Sequence, residues 1–211
     1  MIAVAGSVAD YLLNRVVSEI SLKRGFVNNG GDIALTLSDT KTLDVGVCSD
    51  IANSEVKANV QICADDNIGG IATSGWKGRS HSLGIADSVT VLARTAASAD
   101  VAATLIANAV DLPSSPKINR IAANELSPDS DLGRKLVTMD VGVLENSEKL
   151  AALENGQNLA RTMMQSGLIH SAYLSLQDQS IVVAPELNTP VYAMPHSNPN
   201  INSEVTRPIH A

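Results

Sequence analysis

Three polar segments of this sequence carry residues suited to binding a ligand that contains phosphate. The first is the turn Asn29-Gly30-Gly31-Asp32. Its glycines leave backbone amides open to the approach of an anion or of a polar ring edge. The alternative is a tight turn at the entrance of a strand, in which Asp32 accepts backbone amides.

The second segment is a loop rich in small and cationic residues. It runs through Thr73-Ser74-Gly75 and continues as Trp76-Lys77-Gly78-Arg79-Ser80-His81. Lysine and arginine bind phosphate oxygens, and the only tryptophan of the chain offers a planar surface. We therefore predict contact with a planar, phosphate-bearing ligand, and an exposed hairpin loop is the alternative.

The third segment places a carboxylate and a hydroxyl one helical turn apart. Asp100 and Thr104 lie in an Ala-rich stretch that is predicted to be a helix, so the two side chains share one face. Hard oxygen ligands side by side, in what we predict is the first turn, suit Mg²⁺. In the alternative, Asp100 complements the helix dipole and Thr104 only packs.

Other kinds of site and several classes of protein are excluded by the sequence. It contains no GxSxG, Walker A, HExxH or CxxC motif, and its 4 histidines are scattered, so a zinc site is not predicted. A net charge of -7 with only 2% aromatic residues argues against a nucleic-acid surface. No run of apolar residues is long enough to span a membrane.

Cys48 and Cys63 lie in apolar stretches, so we expect reduced thiols and a cytoplasmic protein, with a disulfide between them as the alternative.

Hydrophobic periodicity predicts both helices and strands. The predicted helices are Val4 to Ile20, ending near Lys23-Arg24-Gly25; residues 98–110, with Ser98 as the N-cap; a helix that starts at Ser127-Pro128-Asp129-Ser130-Asp131; and residues 145–166. The predicted strands are the Ile33-Leu35-Leu37 alternation with a hairpin partner at Leu43-Val45-Val47, residues 60–64, residues 86–93, and a hairpin of residues 169–176 and 181–184.

The order of these elements predicts the fold class and the domain organisation. Strands and helices do not alternate strictly, and several strands are joined by short turns. We therefore predict an α+β fold with mostly antiparallel sheets and helices packed on one face, with two similar units as a variant. We expect residues 1–187 to form a single domain and residues 188–211, rich in Asn and Pro, to form a C-terminal tail or arm.

Taken together, the polar segments resemble the ordered motifs of the ApbE superfamily, whose characterised members are FAD:protein FMN transferases. The motifs are Asn29-Gly30-Gly31-Asp32, Ala72-Thr73-Ser74-Gly75, Ser88-Val89-Thr90-Val91 and Ala99-Asp100-Val101-Ala102-Ala103-Thr104. Residues 72–110, and the motif Pro128-Asp129-Ser130-Asp131-Leu132-Gly133, resemble more closely an uncharacterised ApbE-like prokaryotic family that is distantly related to those transferases.

The resemblance implies a function and assigns residues to it. It implies binding of FAD and Mg²⁺, and transfer of FMN to a protein acceptor by cleavage of the pyrophosphate. The Mg²⁺ ligands would be Asp100 and Thr104, and the residues lining the flavin pocket would be Asn29, Gly30, Gly31, Asp32, Thr73, Ser74 and Gly75. His81 best matches the acid/base histidine of the transferases, although the Asp-Pro pair that follows it there is absent, and Lys77 or Arg79 would offset negative charge. Flavin or nucleotide binding without catalysis, and a structural or assembly role, are the alternatives.

The N-terminal helix and the tail predict self-association. Val4, Val8, Leu12 and Val16 recur every fourth residue, and the family usually has a segment before this helix that is absent from the sequence. An apolar helix with nothing before it to cover its other side is expected to be buried by a partner, and the tail could dock across a neighbour. We therefore expect a homodimer, with a monomer and a frayed tail as the alternative.

Overall fold

The computed structural model describes residues 3–38, 40–48, 56–185 and 191–192. Within these ranges the helices are α1 (Val4–Glu19), α2 (Ala96–Ala109), α3 (Ala123–Leu126) and α4 (Asn146–Gln165). The strands are β1 (Arg24–Asn29), β2 (Asp32–Leu37), β3 (Thr42–Cys48), β4 (Val56–Cys63), β5 (Gly70–Ser74), β6 (Ser88–Ala93), β7 (Ile118–Ala122), β8 (Leu136–Val141), β9 (Ser171–Leu176), β10 (Gln179–Val183) and β11 (Val191–Tyr192).

A seven-stranded antiparallel sheet organises these elements. Its strand order is β1-β2-β5-β6-β9-β10-β11, and two smaller antiparallel pairs, β3–β4 and β7–β8, lie beside it. The predicted α+β class with mostly antiparallel sheets is confirmed.

Alternation along the strands sorts the side chains between the two faces of the sheet. Ala72 and Val91 join the core beneath α2 and α4, whereas their neighbours Ile71 and Leu92 pack with Ile62 of β4. The helices α1, α2 and α4 therefore lie on one face, as predicted, and the β3–β4 hairpin covers part of the other. This alternation also decides which polar side chains can meet the helices.

The hairpin that follows α1 differs from the prediction. β2 pairs with β1, not with β3, and β3 pairs with β4. The reason is the tight turn at Gly30 and Gly31, whose positive φ values of 72° and 113° bring β1 back onto β2. Arg24 and Gly25 therefore belong to a strand, and the helix ends at Glu19, earlier than the cations suggested.

Two predicted helix starts also need correction. Helix α2 begins at Ala96 with Thr95 as its N-cap, because the Thr95 hydroxyl accepts the amide of Ser98, so Asp100 lies in the second turn. No helix starts at Ser127: its amide ends α3 by bonding to the carbonyl of Ala123, and successive turns lead to Gly133, whose φ is 56°. The Ser-Pro-acid signal is there, but no apolar helical period follows it.

Other predicted elements are confirmed: α4, β6, and the β9–β10 hairpin. Within the predicted tail, Val191 and Tyr192 pair with β10, and residues 186–190 and 193–211 lie outside the described part of the chain. Cys63 has a free thiol. The register pairs Cys63 with Thr42 and Cys48 with Val56, at opposite ends of the β3–β4 hairpin, so the alternative disulfide is wrong.

Candidate functional site

Helices α1 and α2 cap each other with carboxylates. The Asp10 carboxylate accepts the amides of Ala96 and Ala97, at 2.9 Å each, in the first turn of α2. The Asp100 carboxylate accepts the amide of Gly6, at 3.0 Å, in the first turn of α1. This exchange satisfies amides that have no partner within their own helix. It also holds one oxygen of Asp100 at the start of α1 and leaves its second oxygen free to bind elsewhere.

Asp32 lies close to Asp100. Burial, and after it the nearby charge of Asp100, raises the pKa of Asp32 from 3.8 to about 6. The side chain is half-buried, and its carboxylate accepts a hydrogen bond from none of the described residues. Asp32 and Asp100 are thus held close together, and no Lys or Arg side chain of the described residues pairs with either carboxylate.

The hydroxyls of Ser74 and Thr104 lie about one helical turn beyond the two carboxylates, in the direction of α2. Gly70 contacts the Thr95–Ala96 backbone, and α2 turns back from the end of β6, so α2 runs in the same direction as β5. Ser74 is four residues beyond Gly70 in β5, a rise of about 13 Å, and Thr104 is eight residues beyond Ala96 in α2, a rise of about 12 Å. Ser74 and Thr104 therefore lie at the same height along the parallel directions of β5 and α2. Asp32 faces Ala72, because Ile33 pairs with Ile71, so Asp32 and Asp100 share a lower height, about 6 Å along β5 and α2.

We call Asp32, Ser74, Asp100 and Thr104 the helix-side site. The side chains of Asp32 and Ser74 share the helix face of the sheet with Ala34 and Ala72, by the alternation along β2 and β5. Thr104 and Ser74 are both half-buried, and neither hydroxyl is paired with a described residue. The donors of this site are therefore oxygens only.

The glycine turn lies next to the helix-side site, because Asp32 follows Gly31 directly. The Asn28 side chain accepts the amide of Gly31 at 2.9 Å, and Asn29 donates to the carbonyl of Ala5 in α1 at 3.1 Å. The Gly31 amide is therefore engaged within the turn rather than free for an anion. Arg79 lies against the same turn, since a Cβ added at Gly30 would be 3.7 Å from its Nη1.

Two residues of the Thr73-Ser74-Gly75 motif are explained by the fold. Thr73 points to the face away from the helices, where its hydroxyl meets that of Thr90 at 2.8 Å. A Cβ at Gly75 would lie 2.3 Å from the carbonyl oxygen of Asp87, so the close approach of two backbones requires glycine there. Of this motif, the structure brings only Ser74 to the helix-side site.

A buried carboxylate anchors the loop that follows. Asp87 accepts hydrogen bonds from Trp76 Nε1 at 3.0 Å and from the amide of Gln177 at 2.7 Å, and Lys77 Nζ lies 3.1 Å from it. Lys77 also lies over the Trp76 ring, 5.7 Å from its centre. Lys77 is therefore committed to holding the loop, while Arg79 and His81 remain exposed.

His81 and Arg79 open onto a cleft of about 260 Å³ on the other side of this loop. Trp76, Leu126 and Met139 give the cleft an apolar wall. The hairpin β7–β8 is held here by Thr138, which donates to the carbonyl of Gly84 at 2.8 Å. Arg79 thus lies between the cleft and the glycine turn, so the cleft and the helix-side site lie on either side of one cation.

The helix-side site suits Mg²⁺ better than a transition metal. Among the described residues, no group of three or more His, Cys, Asp or Glu side chains could hold a metal ion. Mg²⁺ is commonly held by one or two carboxylates, with water and substrate phosphates completing its six oxygens. The unpaired carboxylate of Asp32 beside Asp100 fits that pattern. Asp100, Thr104, Asp32 and Ser74 would be the residues that hold the ion.

Sequence reasoning missed two residues that shape this region, Asp10 and Asp87. Each is a lone acid within an apolar stretch, and burial of such a residue requires donors that satisfy it. That signal is present in the sequence, but the backbone amides that the two carboxylates accept, at Ala96 for Asp10 and at Gln177 for Asp87, are 86 and 90 residues away and could not be named from it. Among the helices that the structure describes, none combines the length and the hydropathy of a membrane-spanning segment.

Comparison with known proteins places the chain in a family. A family model described as AbpE bacteria matches residues 1–182. A UPF0280 protein of Methanobrevibacter smithii is 35% identical over 161 residues, which are 73% of this chain and 65% of the relative. UPF0280 proteins of Methanococcus vannielii and Methanocaldococcus jannaschii are 38% and 36% identical over 113 and 110 residues, which are 51% and 52% of this chain and 44% and 43% of the relatives.

The chain thus spans 65% of the length of the first of these relatives and less than half of the other two. No solved structure matches it. The family match covers residues 1–182 of the 211 and therefore includes the helix-side site and the cleft. On this evidence the chain belongs to the ApbE-related bacterial family that is described as AbpE bacteria.

Proposed function

We propose that this chain binds a flavin nucleotide, FAD, together with Mg²⁺ at the helix-side site, and that it transfers FMN to an acceptor by cleaving the pyrophosphate. The observation that carries the proposal is the half-buried carboxylate of Asp32, unpaired among the described residues and held beside Asp100. At neutral pH the repulsion between these two carboxylates is unfavourable, and a cation bound between them would offset it. The family membership and the resemblance to the flavin transferases support FAD as the nucleotide.

The residues around the site have separate tasks in this proposal. Asp32 and Asp100, with the Thr104 and Ser74 hydroxyls, would hold Mg²⁺, which when bound neutralises the charge of a diphosphate. Arg79, at the rim of the glycine turn, is placed to bind phosphate oxygens and to stabilise the charge that develops when the pyrophosphate breaks. The reaction is the attack of an acceptor hydroxyl on the phosphorus of the FMN half, with AMP as the leaving group. His81, exposed beside the cleft, is the candidate to take the proton of that hydroxyl.

A second function is binding of the flavin nucleotide without cleavage, and one observation favours it. Lys77, one of the two cations proposed to offset phosphate charge, is paired with the buried Asp87 at 3.1 Å. The phosphates are then left with Arg79 alone from this loop. A third function, a structural or assembly role, is supported by the reciprocal helix caps, because they give Asp100 a task that needs no ligand.

Two assays on the purified chain of 211 residues separate these functions. FAD binding is followed by flavin fluorescence with and without Mg²⁺, and AMP release from FAD is followed by chromatography. Binding that requires Mg²⁺, together with AMP release, is the result expected for the transferase. Binding without AMP leaves the nucleotide-binding function, and no binding under either condition leaves the structural one.

Matched variants identify the residues responsible. Asp32→Asn and Asp100→Asn each remove one carboxylate and keep its shape, and Asp140→Asn on β8 makes the same change at an exposed position. We expect the first two to lose Mg²⁺-dependent FAD binding by at least about tenfold, which corresponds to about 1.4 kcal/mol. The Asp140→Asn control should bind as the unaltered chain does, and an equal loss in all three variants would contradict the assignment.

A further inference from the structure

The cleft beside His81 has a cationic side and an apolar side. Arg79 and His81 line the first, and Trp76, Leu126 and Met139 line the second. Both cationic-side residues are exposed, and neither is hydrogen-bonded or ion-paired with another described residue. None of the described residues that line the cleft is acidic, although the chain carries a net charge of -7. The cleft is therefore suited to an anion that also has an apolar part.

The carboxylates near the cleft do not cancel its cationic character. Asp87 accepts the indole N–H of Trp76, and Lys77 Nζ pairs with this carboxylate at 3.1 Å. Glu125 and Asp140 flank the apolar side in sequence, and both are exposed. Solvent and salt screen the charges of exposed carboxylates. An anion in the cleft thus meets Arg79 without a buried, unpaired acid among the residues that surround it.

Hydrogen bonds hold both sides of the cleft in place. The indole N–H of Trp76 lies 3.0 Å from Asp87, and its amide lies 3.0 Å from the carbonyl of Ala86. On the other side, next to Met139 in β8, the Thr138 hydroxyl donates to the carbonyl of Gly84 at 2.8 Å. A site whose walls are fixed loses little conformational entropy when a ligand binds, which favours affinity for a small molecule.

The volume of the cleft limits the size of the ligand. Its volume of about 260 Å³ lies just under the range of about 300–1,000 Å³ that holds a drug-sized molecule. One planar ring with one anionic group suits such a space, whereas a whole dinucleotide is too large for it. Trp76 offers the ring a flat surface and Met139 a polarizable contact. The Arg79 guanidinium is able to bind two oxygens of a carboxylate or phosphate at once.

We propose that the cleft binds a small amphiphilic anion, whose planar ring packs against Trp76 and whose carboxylate or phosphate pairs with Arg79 and accepts a hydrogen bond from His81. The residues that line this cleft include none of the four that form the helix-side site. The proposal does not rest on FMN transfer, because the walls and the charges of the cleft carry it without reference to FAD or Mg²⁺.

Fluorescence of Trp76 tests the proposal, because this is the only tryptophan of the chain and it lines the cleft. Phenyl phosphate and benzoate each combine a ring with an anion, inorganic phosphate has the charge without the ring, and benzyl alcohol has the ring without the charge. We expect phenyl phosphate or benzoate to change the emission saturably, and to bind at least about tenfold more tightly than the other two probes. The tighter of the two identifies the anion. The titration uses neither FAD nor Mg²⁺, so its failure is distinct from failure of the proposed function.

Matched variants at exposed positions assign the binding to the two sides of the cleft. Arg79→Gln removes the cation, and Met139→Glu places a negative charge on the apolar side at a position that is 44% exposed. The controls are Arg94→Gln and Val143→Glu, which make the same changes at exposed positions outside the cleft. We expect the first two variants to weaken binding at least about tenfold and the controls to weaken it less than about twofold.

The indole N–H signal of Trp76 in a proton–nitrogen correlation spectrum gives a second readout that does not depend on a change in fluorescence. If phenyl phosphate and benzoate at about 10 mM leave both signals unchanged, the proposal is overturned. It is also overturned if neither binds more tightly than inorganic phosphate and benzyl alcohol, or if the control variants lose as much affinity as Arg79→Gln and Met139→Glu.

Discussion

Replacing Asp32 by asparagine should stabilise the protein at neutral pH when divalent cations are absent. Burial and the charge of Asp100 raise the pKa of Asp32 from 3.8 to about 6. The folded state thus holds this proton more tightly than the unfolded state does. The contribution to the free energy of unfolding is fully present below pH 3.8 and is lost as the pH rises through 6. Above that pH the charged Asp32 opposes folding, and asparagine, which resembles the protonated acid, removes the opposition.

The magnitude follows from the pKa difference. A difference of about 2 in pKa corresponds to about 3 kcal/mol, at about 1.4 kcal/mol for each tenfold change in proton affinity. Because Asp32 is only half-buried, solvent screening reduces this, and we expect a gain of about 1–1.5 kcal/mol at pH 7.5. For a chain of 211 residues, such a gain raises Tm by about 3–5 °C.

Thermal unfolding in EDTA, followed by circular dichroism at pH 7.5 and pH 4, measures this effect. The gain for Asp32→Asn should be largest at pH 7.5 and mostly absent at pH 4, where the wild-type Asp32 is protonated in the folded state. Asp140→Asn, at an exposed position, should change Tm little at either pH. A gain that is equal at both pH values, or a loss at pH 7.5, would refute the reasoning.

Three further predictions concern the residues that position the site. Asp10→Ala should lower the free energy of unfolding by about 1–2 kcal/mol in urea titrations, because two first-turn amides of α2 lose their acceptor; an unchanged midpoint would show that water replaces this cap. Asp87→Ala should lower the free energy of unfolding by about 2–4 kcal/mol in the same titrations, because it leaves buried donors unpaired. Lys77→Met should lower it by under about 1 kcal/mol, because Lys77 is 44% exposed. Equal losses would contradict the role of Asp87 as the anchor. Ser74→Ala should lower the affinity for FAD and Mg²⁺ several-fold in the fluorescence assay while Thr73→Val leaves it unchanged, and the reverse order would mean that the ligand occupies the other face of the sheet.

The sequence allowed the fold class and most of the elements to be predicted, because apolar periodicity is a local signal. The helix α4 and the β9–β10 hairpin are examples: each combines a clear period with a short turn or a defined start. Pairing between strands was less accessible. Leu43-Val45-Val47 alternates as a partner of β2 would, and only the positive φ values at Gly30 and Gly31 decide that β1 takes that place instead.

The residues of the candidate site came from motif resemblance and not from periodicity. The resemblance selected Asp32, Ser74, Asp100 and Thr104 from distant segments. The sheet register puts Asp32 and Ser74 on the helix face of the sheet, and α2 carries Asp100 and Thr104 one turn apart. Thr73 and Gly75 came from the same motif, but strand alternation turns Thr73 to the other face and packing against Asp87 explains Gly75. The sequence offered no means of foreseeing that Lys77 would be paired with Asp87, because that contact depends on how the loop folds back over β6.

The claim on which this account depends is that Asp32 and Asp100 together bind a divalent cation, and a Mn²⁺ titration tests it most directly. Free Mn²⁺ is counted by electron paramagnetic resonance at pH 7.5, with Mg²⁺ as competitor. We expect one site per chain that Mg²⁺ displaces, that weakens at least about tenfold in Asp32→Asn and in Asp100→Asn, and that is unchanged in Asp140→Asn. Absence of binding, or binding that neither substitution weakens, would contradict the account.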